Sequence, residues 1–429
     1  MAQDLKRIVE NNFLRGYNDR DKPETLRFPD DGIVYMAMIK NAFVEEGKIE
    51  KRGGYNQIGD NPEAKPILGQ DRHEPFGGAK YILRAINNAG DTNSEVQGWS
   101  GAGNWTALVG ATSQTADARH QFVTANSATY IFNTAGDPVL KTTDGVNASV
   151  VAAIPEGIDA MWFHNYLFVF GVSGNEDRLY FSDIGDPETY DPVNGYIDVN
   201  PGDNEPITAL AVLKDELLIF KASRVWALTG FGTADFTLND LGERVTSLGT
   251  RALRGVLSTG NDCYYISYQG STPHVRSVRR TDNNELFDGG LISDAITGTM
   301  KRVNTVAIDT TVMEFDGRRL WVALPMDGAT SPNEIVVYDT HTTGWTRMTG
   351  ILANDMHVST ITGEVEIYFG SSEDDGKSHQ LNIGRDDDGD PIDFEVRTPY
   401  YAPQPGYQSR YKYLYLTLDS DTASELDVD

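Results

Sequence analysis

The stretch Asp215-Glu216-Leu217-Leu218-Ile219-Phe220-Lys221-Ala222-Ser223-Arg224-Val225-Trp226-Ala227-Leu228 reads as two short strands joined by a polar turn. One apolar run follows Lys214-Asp215-Glu216 and another follows Lys221 to Arg224. Runs this short, rich in aromatic and branched side chains and bounded by polar breaks, predict strands rather than helices.

The same unit recurs along the chain. It stands at Tyr81-Ile82-Leu83, at Tyr130-Ile131-Phe132 after Asn126-Ser127, and at Tyr166 to Phe170 after His164-Asn165. It returns at Cys263 to Ile266, at Leu320 to Ala323 after Asp316-Gly317, and at Ile367-Tyr368-Phe369 after Gly363. Copies lie roughly 40–55 residues apart, the period of propeller blades built from four strands each. A β-rich run precedes several copies: Ile158 to Trp162, Ile207 to Val212, Leu253 to Ser258 and Val303 to Ile308. A further strand follows others, as at Arg178 to Asp183 and Ile335 to Asp339, the latter ending at Gly344-Trp345. The expected architecture is all-β: a six- or seven-bladed propeller over residues 76–384, with a pair of β-sandwiches of coincidental spacing as the alternative.

Composition agrees. Helical patterning is confined to a short N-terminal stretch (Leu5, Ile8, Val9), and 42 glycines among 429 residues interrupt anything longer. A single cysteine, Cys263, excludes a disulfide framework and fits assembly in a reducing compartment. The formal charge of −27 argues against wrapping DNA or adhering to an anionic membrane. No apolar run approaches the ~20 residues of a membrane span, and the N-terminus has no apolar core of a signal peptide.

Both flanks fall outside the repeat. Residues 1–75 contain the strand-like Ile33 to Met38 and Ala42 to Val44, a turn at Glu46-Gly47, and the basic step Lys51-Arg52-Gly53-Gly54-Tyr55. Residues 385–429 hold Pro391 to Thr398, a loop through Pro403 and Pro405, and the alternating Tyr411 to Leu418, with Tyr413 and Tyr415 on one face. These segments are expected to form a smaller β-rich platform, pairing with each other or with a neighbouring subunit, because an uncovered edge strand invites a partner.

Catalytic motifs are weak. The seven histidines are scattered singly and read as structural, and Cys263 lies in an apolar strand, where a buried thiol is inert. Gly370 to Ser378 resembles a phosphate loop but carries three carboxylates and opens onto a strand. The acidic loop Asp386-Asp387-Asp388-Gly389-Asp390 could bind calcium, but the first ligand position of an EF-hand register falls on Gly384, and a turn between two strands is the expectation. No cofactor, metal ligand or catalytic residue is assigned.

One segment carries a specific resemblance. Arg178-Leu179-Tyr180-Phe181-Ser182-Asp183-Ile184-Gly185-Asp186-Pro187-Glu188-Thr189-Tyr190 resembles a blade turn of β-propeller tail proteins of tailed bacteriophages. Similar motifs of that family follow at Tyr196 to Val199, at Gly202-Asp203 and at Asp215 to Leu228. Its N-terminal motif matches at Asn41-Ala42, Gly47, Ile49, Lys51-Arg52 and Gly54, and its exit hairpin at Asp386 or Asp388, Gly389, Pro391-Ile392 and Thr398. Few landmarks match over residues 90–155. The resemblance implies a non-enzymatic virion protein, a tail nozzle or hub, assembled in the host cytoplasm. Such proteins form homo-oligomeric rings, usually of six, that contact an adaptor or tube and fibres and act as a conduit for genome ejection. Double-stranded DNA would then be met only in passage, and an acidic wall suits that role. The competing expectation is a propeller that binds or cleaves a host-surface glycan; a plain protein-interaction propeller is the third. The residues assigned structural roles are Asp183, Asp186 and Pro187 as turn-formers, Trp226, Trp321 and Trp345 as blade packing, and Asn41, Arg52, Gly54, Tyr413 and Tyr415 at the platform or interface.

Overall fold

The computed structural model describes residues 15–23, 26, 35–45, 48–60, 63–242, 248–269, 272–280 and 286–399. Tyr413 and Tyr415, the strand expected at Tyr411 to Leu418, and the stretch Leu5 to Val9 lie outside the described residues.

Among the described residues seven sheets, each built on four antiparallel strands and some extended by further short strands, make a seven-bladed β-propeller. Their innermost strands are Ile67–His73, His120–Ala125, Asp159–Phe163, Ala209–Leu213, Val256–Ser258, Val312–Phe315 and Ala353–Ser359. Each packs beside the next, and the last packs beside the first, so the ring is closed. The only α-helix among the described residues is Thr297–Met300, in the connection between the fifth and sixth blades.

The recurring apolar run is the second strand of every blade. This strand is covered on both sides, which is why it reads as continuous apolar residues rather than as an alternation. In Tyr166–Phe170, Leu167 and Val169 pack toward the second blade. Tyr166, Phe168 and Phe170 of the same strand pack toward the fourth. Glu216–Phe220 divides in the same way, with Leu217 and Ile219 on one side and Leu218 and Phe220 on the other. In the second, third and fourth blades two-residue hairpins connect the first and second strands. Asn126-Ser127 (φ 47° and 63°) and His164-Asn165 (φ 48° and 64°) are left-handed at both positions, as a two-residue turn matched to strand twist requires.

The structure departs from the sequence reading at two places. Val303 to Ile308, expected as a strand, is a turn leading into the 3₁₀ segment Ile308–Thr310. Its apolar residues Val303 and Ile308 are buried all the same, in the core between the fifth and sixth blades. The ring also reaches further back than residue 76. Ile67–His73 is the inner strand of the first blade, and Tyr55–Ile58 pairs with Ser378–Leu381 as the outer strand of the seventh. Seven blades thus close with a strand taken from the N-terminal flank.

The remaining flanks make a small addition to the ring. Met38–Lys40 runs parallel to Gly344–Met348 on the outside of the sixth blade, and Glu395–Arg397 pairs antiparallel beyond it. Ala42–Glu45 and Lys48–Lys51 form a hairpin. The acidic loop is itself a two-residue hairpin turn between Asp386–Asp387 and Asp390–Pro391, with Asp388 and Gly389 at positive φ.

Candidate functional site

Asn41, Arg52 and Gly54, taken from the N-terminal motif, come together where residues 41–54 and 386–393 meet the sixth and seventh blades. Asn41 is left-handed (φ 56°), a conformation that asparagine tolerates. Its amide nitrogen donates to the Asp393 carbonyl (2.6 Å) and to Thr349 Oγ1 (3.0 Å). Its amide oxygen accepts from Arg52 Nε (3.1 Å) and from the Thr349 N–H (2.9 Å). The Arg52 side chain is fully buried, and its two terminal nitrogens donate to Asp387 Oδ1 and Oδ2 at 2.7 and 2.6 Å. They also donate to the carbonyls of Gly53 (2.9 Å) and Thr349 (3.1 Å). The guanidinium makes five such bonds in one plane, to a carboxylate, two carbonyls and an amide oxygen, where an ammonium has only three donors. Gly54 is needed for close approach: a Cβ there would stand 1.6 Å from the Asp386 carbonyl oxygen.

This arrangement also settles the carboxylates of the acidic loop. Asp387 is held by Arg52, Asp388 by Lys377 (2.7 Å), and Asp386 accepts the Gly389 N–H (2.8 Å). Among the described residues, no group of three or more His, Cys, Asp or Glu could hold a metal ion.

A second polar concentration lies on the propeller axis, where the inner strands place Asp71, Arg72, Asp159, Glu314 and Asp355, with Arg119 and Arg254 just before strands. Arg254 donates to Asp355 Oδ1 (3.0 Å) and to the Met356 carbonyl (3.2 Å). Arg119, on the second blade, reaches across to the Thr310 carbonyl (3.2 Å) and to the Asn354 carbonyl of the seventh. Desolvation raises the Asp71 carboxyl and pushes Asp159 and Glu314 up to about 7, even against the pull of Arg254. Each is partly exposed. The passage is laced by guanidinium groups that tie non-adjacent blades together. Arg119 and Arg254 cross the space that a threaded polymer would need.

The turn residues divide their work. Asp186 accepts the Glu188 N–H (3.1 Å) and the Thr189 hydroxyl (2.8 Å) through its side chain. Asp183 acts through its backbone, donating its N–H to the Thr189 carbonyl (2.7 Å) and accepting that of Asp186 (3.2 Å). Pro187 is buried beside them. Trp226 lies in the core between the third and fourth blades. Trp321 lies between the sixth and seventh, where it donates to Asp316 Oδ2 (3.0 Å) and meets Phe43 edge-on. Trp345 donates to the Ile292 carbonyl (3.0 Å) and carries the N-terminal arm, whose Tyr17 N–H bonds its carbonyl (3.0 Å). Cys263 is buried between the fourth and fifth blades, and burial pushes its thiol well above the usual range.

Sequence reasoning missed Thr349, the pairing of Asp387 with Arg52, and the whole axial set. The Lys51-Arg52-Gly53-Gly54 step was a signal for the pairing. Nothing local marks the axial set, because no inner strand contributes more than two charged side chains and three contribute none.

The fold and its sites define a seven-bladed β-propeller with residues 38–58 and 386–397 docked on its last two blades. No family model matches the chain, and no curated protein matches it. Among solved structures it is similar to YCF48 bound to a D1 peptide, with 11% identity, a TM-score of 0.46, and coverage of 77% of this chain and 97% of that one. The Pan2 WD40 domain of Neurospora crassa shows 10% identity and a TM-score of 0.46, over 76% of this chain and 95% of that one. The extracellular domain of the hybrid two-component system BT4673 from B. thetaiotaomicron shows 11% identity and a TM-score of 0.47, over 77% of this chain and 39% of that one. The class rests on the chain's own seven radial sheets.

Proposed function

We propose that this chain is a structural component of a bacteriophage tail, forming a ring at the tail that serves as a conduit for the genome. The observation that carries this reading is the buried junction of Arg52 with Asp387. Two of the motif blocks that resemble phage tail propellers, 335 residues apart, are bonded directly there. The junction fixes both flanks on one side of the propeller, and the outer edge of Glu395–Arg397 has no strand partner among the described residues. An edge of this kind is covered when identical subunits pair around a ring. In such an assembly the conduit is the space enclosed by the subunits, since the axis of each propeller is crossed by Arg119 and Arg254. The −27 charge supports passage of DNA without retention. Immunogold labelling of purified particles with antibodies to this chain tests the reading: label at the tail end supports it, and particles that lack the chain overturn it.

A second reading, a propeller that binds or cleaves glycans, is favoured by the axial carboxylates and arginines. Glycan-array binding that is lost on replacing Asp159 and Glu314 would support it. Against it stands the use of the axial arginines in bonds between blades.

A further inference from the structure

The chain has a formal charge of −27, yet between its first and seventh blades it buries an arginine whose hydrogen-bond partners are all neutral. Arg84 stands in the strand Tyr81–Asn87 and is fully buried. It donates to Gln97 Oε1 (2.9 Å), to the Gly376 carbonyl (2.8 Å) and to Ser378 Oγ (3.3 Å). Its Cζ lies 4.1 Å from the Trp105 ring centre, and Nη2 has no hydrogen-bond partner among the described residues. A charge taken out of water is costly unless an opposite charge meets it. The cost shows on the group itself: desolvation pushes the Arg84 guanidinium down to about 9.

Two neutral side chains with unused polar atoms share this seam. Gln70 is directly opposite Arg84 in the register of the first blade, which puts both side chains on one face, and neither polar atom of its amide is bonded among the described residues. Its backbone N–H donates to Asp355 Oδ2 (2.9 Å) of the seventh blade, so the two innermost strands touch here. His357, two residues further along that strand, has both ring nitrogens unpartnered among the described residues. Its ring stacks on Tyr368, which packs in the same cluster as Trp105. Gln70 and His357 are at most 1% exposed.

The neighbourhood is electropositive. Desolvation, together with the charges of Arg72 and Arg254, holds the His357 imidazole well below the usual range, so the ring is neutral and keeps one N–H to donate. Asp355 does not match Arg84, being taken by Arg254 (3.0 Å) and by the N–H groups of Gln70 and Met356. The donors left over are Arg84 Nη2, the Gln70 amide nitrogen and one nitrogen of His357. Water would bond these atoms and leave the charge of Arg84 unmatched, whereas an anion does both. With one guanidinium in the seam and the site closed to solvent, the anion has a single charge and few atoms.

We infer that this seam binds a small monovalent anion, of the size of a halide, through Arg84 and Gln70 of the first blade and His357 of the seventh. The anion is a structural ligand that both blades share, and its charge balances the buried arginine.

Bromide is the probe, since it replaces chloride and scatters X-rays anomalously. Crystals of the full chain grown in sodium bromide are expected to show an anomalous peak at hydrogen-bonding distance from Arg84 Nη2. Urea titrations in bromide and in gluconate, an anion too large for the site, at equal ionic strength give a difference in midpoint. That difference should be more positive in the native chain than in Arg84→Met, because a ligand bound only by the folded state stabilises it. Water at the site with no anomalous peak overturns the proposal. A peak there with equal midpoint differences in the two proteins marks an adventitious ion only and overturns it as well. Should Arg84→Met fail to fold, Gln70→Leu takes its place, keeping the guanidinium while removing one donor, with the same criterion.

Discussion

Arg52 and Asp387 form a two-pronged ion pair in which the arginine side chain is wholly buried and the aspartate nearly so. Removing either partner leaves the other charged and dry, which costs about 3–5 kcal/mol. Arg52→Ala and Asp387→Ala are therefore expected to lower unfolding free energy by that amount in urea titrations. Arg52→Met combined with Asp387→Leu should cost less than either single change, since no buried charge then remains.

Gly54→Ala places a methyl group where the Asp386 carbonyl oxygen stands. Because that neighbour is backbone, the strand must shift. We expect a loss of about 1–3 kcal/mol and faster proteolysis after residue 385, measured by limited digestion. An unchanged digestion pattern would show that the hairpin docks without this close approach.

Asp159 and Glu314 contribute stability that falls as pH rises from about 4 to about 7, whereas the buried imidazoles of His120 and His379, pushed down to about 4 by desolvation, contribute the opposite slope over the same window. Asp159 and Glu314 titrate near 7 in the folded chain, so over this window they stay protonated when folded and ionise when unfolded. The unfolded state then binds fewer protons, and rising pH favours it. Asp144, pushed down to about 2 by hydrogen bonds from Asn147 and Val146, has the opposite sign and acts only below the ordinary carboxylate range. Urea titrations between about pH 4 and 7 should show stability changing more positively with rising pH in Asp159→Asn and Glu314→Gln than in the native chain, and an unchanged slope would contradict the assignment.

At the blade turn, Asp186→Ala removes two side-chain hydrogen bonds, whereas Asp183→Ala leaves backbone bonds intact. The first is expected to cost up to about 1–2 kcal/mol and the second less. Equal losses would mean that Asp183 contributes more than its backbone.

The second strands were legible because burial on both sides leaves a continuous apolar signature, as in Tyr166–Phe170 and Glu216–Phe220. Outer strands carry no such mark. Tyr55–Ile58 reads Tyr-Asn-Gln-Ile, and only Ile58 is buried, so its place in the seventh blade was hidden until the ring closed. Val303 to Ile308 misled for the converse reason: burial gave it a strand-like composition while its backbone turns. Asn41, Arg52 and Gly54 could be singled out from their motif, but their partner Asp387 stood among four other acidic-loop residues with nothing to distinguish it. The axial acids could not be read locally, since their neighbourhood exists only after several inner strands converge.

The central claim is that identical copies form a ring on a phage tail, with both docked flanks at the subunit interface. Cryo-electron microscopy of the native particle tests it most directly. The account predicts a closed symmetric ring of this chain on the tail axis, with the edge of Glu395–Arg397 covered by a neighbouring subunit. A chain absent from the tail axis, or present as isolated propellers with that edge open to solvent, would contradict it.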